Sequence, residues 1–145
     1  MAEQRSIVGG WRLVSFENRD GDGRVRLPYG PAPIGYILYT GDGRMSATVM
    51  HGDRTPLADE PRRGEGTTEK ARAFEEYLSY AGCYTFLGDR VIHHVEISLW
   101  PGWVGTDLER LAEFRNEHLI LRTTPSGDDA RTRTTIIIWA RVATA

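Results

Sequence analysis

Two adjacent histidines and a glutamate set the chemical question. They lie in the run Val91-Ile92-His93-His94-Val95-Glu96-Ile97-Ser98-Leu99-Trp100. The run is apolar and partly β-branched, so it reads as a strand. Side chains on a strand alternate faces. Val91, His93, Val95, Ile97 and Leu99 therefore share one face, and Ile92, His94, Glu96, Ser98 and Trp100 share the other. If the first face looks into a core, His93 is a lone titratable group in a dry setting, where burial can tune it as an acid or base. The plainer reading is a core histidine hydrogen-bonded to a neighbour. If the second face is the functional one, His94 and Glu96 stand within reach of each other. Its plainer reading is a solvated outer wall. The pattern leaves open which face is inward.

Other side chains extend the list. Arg110 shares a strand face with Leu108, Ala112 and Phe114. There it can bind a ligand carboxylate, enolate or phenolate, or pair with Glu96. His93, Glu96 and Arg110 are the candidate catalytic residues. Tyr36, Tyr84, His94, Trp103 and Trp11 are the candidate ligand contacts, since tyrosine and tryptophan join apolar area to a polar handle. Tyr36 and Tyr39 point to opposite faces, so at most one is inward. A metal site is not expected, because the four histidines lack ligand spacing and Cys83 is alone. The thiol reads as buried and inert. No phosphate-binding glycine loop and no Gly-x-Ser-x-Gly elbow occurs, and no cofactor is expected.

The elements that hold these residues are short strands. Trp11–Glu17, Gly35–Thr40 and Arg44–Met50 come first, the last two joined by Gly41-Asp42-Gly43 as a hairpin. Asp53–Gly66 reads as a surface loop or lid. Ala71, Phe74, Leu78 and Ala81 fall at helical spacing, which predicts one helix over Thr67–Ala81 ended by Gly82. Strands resume at Cys83–Leu87, Val91–Trp100, Gly105–Phe114, His118–Thr123 and Thr132–Val142, with a hairpin turn at Pro125–Ala130. About eight strands without strand–helix–strand alternation predict an all-β, mainly antiparallel meander that closes on itself.

Composition narrows the function. The chain has 145 residues, the size of one domain, and its 40% hydrophobic and 26% charged residues describe a globular protein. A net charge of −2 with scattered arginines predicts no nucleic-acid partner. No apolar run is long enough for a membrane helix, and Met1–Ser6 lacks a signal peptide's apolar stretch. A cytoplasmic protein is therefore expected, with residues 1–145 as a single domain.

The chain also resembles the bacterial and fungal lipocalin-like domain family of the calycin superfamily. The matching stretches are Gly9-Gly10-Trp11, Pro28-Tyr29-Gly30, Gly35–Thr40 with Asp42–Ser46, Tyr80-Ala81-Gly82, His93-His94-Val95-Glu96, and Pro101–Thr106 with Arg110. The resemblance implies an up-and-down β-barrel of eight or more strands with one α-helix, whose cup holds a small, mostly apolar molecule. It implies that Arg141 packs on Trp11. Pro101-Gly102-Trp103 departs from the Pro-Asn-Trp or Pro-Ser-Trp expected there.

Two functions follow as expectations. The first is binding of a small hydrophobic or amphiphilic metabolite. The second is a cofactor-independent isomerase or cyclase of a polyketide- or terpenoid-like substrate in natural-product biosynthesis. In that case His93, or His94 with Glu96, moves the proton and Arg110 or a tyrosine steadies the oxyanion. A third reading is a partner protein that forms a homodimer through a barrel edge.

Overall fold

The computed structural model describes residues 6–54, 67–123 and 133–143. Its strands are β1 (Gly9–Asp20), β2 (Val25–Arg26), β3 (Ile34–Tyr39), β4 (Arg44–Met50), β5 (Tyr77–Phe86), β6 (Arg90–Ser98), β7 (Asp107–Arg115), β8 (His118–Arg122) and β9 (Arg133–Arg141). One helix, α1 (Thr67–Glu75), precedes β5. Every paired strand runs antiparallel to its neighbour. The order is β2-β1-β3-β4-β5-β6-β7-β8-β9, and β1 also pairs with β9. That last pairing closes an eight-stranded barrel, and β2 is a two-residue flap on β1. Closure removes the free edges that would otherwise template aggregation.

Alternation builds the interior. Gly35, Ile37 and Tyr39 point inward from β3, and Met45, Ala47 and Val49 from β4. Their hairpin turns at Gly43, whose φ of 93° lies where glycine is favoured. At the closed end Trp11 is 1% exposed, and its indole N–H donates to the Ile7 carbonyl at 2.9 Å. Arg141 lies 4.1 Å over the Trp11 ring and donates to the carbonyls of Val8 and Ser6. The guanidinium thus joins the first strand to the last through a cation–π contact and two backbone bonds.

Two expectations need correction. The helix does not reach Ala81. It ends at Glu75, and Tyr77 begins β5. Leu78, Tyr80 and Gly82 alternate inward, and seven β4 residues from Arg44 to Met50 pair with Cys83 to Tyr77. Ladder bonds and a buried face outweigh the helical spacing of four small or apolar residues. Gly82 consequently sits inside a strand, and Cys83 is only half-buried. The second correction is in β6. Val91, His93 and Val95 are buried, yet Ile97 is 70% exposed. The register slips between Ala81 and Gly82, so Gly82 pairs with Val95 while Ala81 pairs with Ile97. Glu96 is the extra residue of a β-bulge, and everything after it changes face. The 125–130 turn and most of the 53–66 loop lie outside the described residues.

Gly82 makes that bulge fit. A Cβ on it would lie 1.9 Å from the His94 carbonyl oxygen. Gly82→Ala is expected to destabilise the barrel by about 1–3 kcal/mol, as over-packed sites do. Urea denaturation of wild type and variant checks this, and an unchanged midpoint would contradict it.

Candidate functional site

Beneath the bulge lies a polar core. His93 is 1% exposed and is held between two tyrosines, one from the adjacent strand β5 and one from β3. Tyr39 Oη stands 2.6 Å from His93 Nε2, and Tyr80 Oη stands 2.9 Å from Nδ1. The hairpin fixes Tyr39 on the inner face of β3, and the period-two alternation of β5 fixes Tyr80. Tyr84 braces the group from one side, packing edge-on to Tyr39 at 4.9 Å while its hydroxyl donates to the Thr40 carbonyl.

Electrostatics decides the protons. Burial, helped by the charges of Arg110 and His94, pushes His93 down to about 3. The ring is therefore neutral at physiological pH, with one N–H and one acceptor nitrogen. Burial pushes Tyr80 up to about 12 against the opposing pull of Arg110, and raises Tyr39 well above the ordinary tyrosine value. Both tyrosines keep their protons. A neutral ring can accept from only one of them. The shorter contact suits an O–H donor and the longer one an N–H donor. On that ground we assign the Nδ1–H tautomer rather than the Nε2–H tautomer, which would reverse both bonds. Tyr39 then donates to Nε2, and Nδ1–H donates to Tyr80 Oη. The Tyr80 hydroxyl proton is left over, with no protein acceptor in reach among the described residues.

The Tyr80 side chain lines a cavity. A space of about 400 Å³ opens above the polar core, within the range of small-molecule sites. Phe16 and Asn18 line it from β1, Leu78 and Tyr80 from β5, Arg110 from β7, and Arg133, Thr135 and Ile137 from β9. Pro28, Tyr29, Trp100 and Trp103 complete it. Tyr29 packs edge-on against Phe16 and Trp103 edge-on against Tyr80. Trp100 is also the contact for α1, whose Phe74 meets it edge-on at 4.8 Å. The site is an aromatic box with a donor at its base and a guanidinium in its wall.

A model of the lipocalin-like domain family matches residues 8–142. The chain belongs to that family. A curated relative, the 4'-hydroxy-3'-methoxypropiophenone carrier protein of Aspergillus oryzae, is 38% identical over 88 residues, covering 54% of this chain and 78% of the relative. Among solved structures, a mutant of the fluorescent protein UnaG aligns with 93% of this chain and 95% of its own, at a TM-score of 0.40 and 14% identity.

Within this lipocalin-like barrel the sequence-derived candidates separate. His93, Arg110 and Trp103 surround the cavity or its base. Glu96 lies on the outer wall, exposed, and pairs with Arg44 at 3.3 Å. His94 is also outside, between Asp107 at 2.8 Å and Thr85 at 2.9 Å. The polar row expected of these two residues therefore faces away from the cup. Tyr36 is 49% exposed and lies outside beside Arg12 and Arg141. Its neighbour Tyr39 is the inward one. Trp11 plugs the opposite end of the barrel and Tyr84 buttresses Tyr39, so neither lines the cavity. Sequence reasoning missed Tyr80 and Trp100. The alternation Leu78-Tyr80-Gly82-Tyr84 was the available signal for the first, and the bulge hid the second.

The suppressed basicity of His93 has a pH consequence. Its folded pKa is about 3 against roughly 6.5 unfolded. Between those values the unfolded chain binds the extra proton. Stability is then full above about pH 6.5 and falls on acidification, with a slope of up to about 1.4 kcal/mol per pH unit from this group. Denaturant midpoints measured across that window are expected to fall in wild type. In His93→Gln this component of the slope is expected to vanish.

Proposed function

We propose that the protein is a carrier for a small aromatic compound that presents an oxygen acceptor, such as an aryl ketone. The observation that carries this reading is the Tyr80 hydroxyl. It lines the cavity, keeps its proton, and bonds His93 alone among the described residues; in the assigned Nδ1–H tautomer that proton is free for a ligand. A ligand acceptor at that hydroxyl gains one neutral hydrogen bond, worth about 0.5–1.5 kcal/mol. The aromatic walls supply apolar area and edge-to-face partners for a flat ring. The 38% identity to a carrier of a hydroxylated aryl ketone supports the same ligand class.

The acid–base alternative asks His93 to take a proton. A ring with a pKa of about 3 is a weak base at neutral pH, and both its nitrogens are already engaged. That observation favours binding over turnover.

Trp100 and Trp103 line the cavity and supply the signal for a test. Titration with 4'-hydroxy-3'-methoxypropiophenone is expected to change tryptophan emission saturably. Tyr80→Phe is expected to weaken binding about two- to tenfold, the worth of one neutral hydrogen bond. Tyr36→Ala, on the outer wall, is expected to leave affinity unchanged. No saturable change, or equal losses in the two variants, would contradict the reading.

A further inference from the structure

We infer that the cavity takes its ligand as an aryl oxyanion, with the Arg110 guanidinium as counter-ion and the Tyr80 hydroxyl as second donor. This deepens the carrier reading and rests on it.

The starting point is an imbalance of charge inside the barrel. Arg110 lines the cavity, and its one protein hydrogen bond among the described residues runs from Nη1 to the backbone carbonyl of Glu109 at 3.0 Å. Among the described residues no carboxylate lies within ion-pair distance of it. On the outside Arg44 finds Glu96, Arg90 finds Glu109 and Arg122 finds Glu113, whereas, among the described residues, the exposed Arg12 and Arg24 are left to solvent; Arg110 differs from those two in being partly buried at the cavity. The elements packed around the cavity offer Arg110 little negative charge. On its own strand Asp107 and Glu109 face outward to His94 and Arg90. Tyr80 of β5 and the cation Arg133 of β9 line the cavity with it, and the neutral His93 of β6 lies within its electrostatic reach. Asp20 of β1 is the carboxylate beside the lining residue Arg133, and it already holds Arg26 at 3.4 Å and Arg133 at 3.7 Å.

The hydrogen-bond inventory leans the same way. Tyr80 has a proton to give. The Trp139 indole N–H, 2% exposed inside the barrel, has no acceptor among the described residues. Trp139 does not line the cavity, where Thr135 already donates to Asn18 at 2.8 Å; Arg110 and Tyr80 keep donors open at the cavity. A partly buried cation without a partner is costly, and an anion delivered by the ligand removes that cost. Hydrogen bonds to an oxyanion are shorter and roughly twice as strong as neutral ones. The Arg110 guanidinium and the Tyr80 hydroxyl offer a ligand oxyanion one charge and one further donor, while Arg133, which also lines the cavity, is engaged with Asp20. The surrounding rings of Phe16, Tyr29, Trp100 and Trp103 require the rest of the ligand to be flat and apolar. A phenolate conjugated to a carbonyl and an aryl carboxylate share this chemistry.

Three probes test the inference on the full chain: 4'-hydroxy-3'-methoxypropiophenone, its 4'-O-methyl ether, which cannot ionise, and 3,4-dimethoxybenzoate. The phenolate absorbs to the red of the phenol, so the ionisation of the bound probe is read directly during a pH titration. The bound phenol is expected to ionise at least about one pH unit below the free compound, a tenfold preference for the anion. Its affinity then rises with pH up to the free phenol's pKa. The ether is expected to bind about tenfold more weakly than the phenolate, and the benzoate to bind with no pH dependence above its own ionisation. Arg110→Gln is expected to abolish the shift, and Arg110→Lys to restore part of it. The lysine variant keeps the test readable if the glutamine variant fails to fold. A bound phenol that ionises at or above the free value, or a shift that survives Arg110→Gln, would overturn the oxyanion while the carrier reading stands. Failure of all three probes to bind would overturn both.

Discussion

A neutral imidazole sealed between two phenols is the interaction on which the rest of this barrel depends. A buried ring needs a partner at each nitrogen, and those partners fix which groups can face the ligand. Tyr39 comes from β3, His93 from β6 and Tyr80 from β5. The trio therefore ties β3 to the adjacent β5–β6 pair through the barrel interior. It also assigns direction. With the ring neutral and Tyr39 donating, the chain of bonds runs toward the cavity and ends at the Tyr80 hydroxyl.

The wall is adjusted to that centre by one irregularity. A regular β6 would carry Ile97 to the inner face. The bulge at Glu96, allowed by the missing side chain of Gly82, places Ile97 outside and leaves Ser98 opposite Tyr80. The same change of phase brings Trp100 to the cavity, where it meets Phe74 of α1. At the other end, Arg141 over Trp11 closes the barrel between its first and last strands. Pocket and plug are thus independent: β1 gives Trp11 to one end and Phe16 with Asn18 to the other.

Much of this was legible in the sequence. Short alternating runs with glycine turns specify an antiparallel barrel, but alternation alone left open whether the His93 face or the His94 face looks inward. The placement of Arg110 with Leu108, Ala112 and Phe114 follows from the same alternation. What was hidden depends on counting residues across strands. One extra residue at Glu96 reverses every later side chain. Tyr36 and Tyr39 exchange roles with a single step of register. Tyr80 was masked because Ala71, Phe74, Leu78 and Ala81 satisfy a helical period by coincidence, and only pairing with β4 exposes the strand beneath. Local pattern is weak wherever a partner strand sets the phase.

Donor-to-cavity polarity is the central physical claim, and the protonation of one ring decides it. Nitrogen NMR of the imidazole in protein labelled at histidine reads that state directly. Near pH 5, where an ordinary histidine carries a charge, His93 is expected to be neutral with its proton on Nδ1. Finding instead the imidazolium, or a proton on Nε2, would reverse the bond to Tyr39 and contradict the direction assigned to Tyr80.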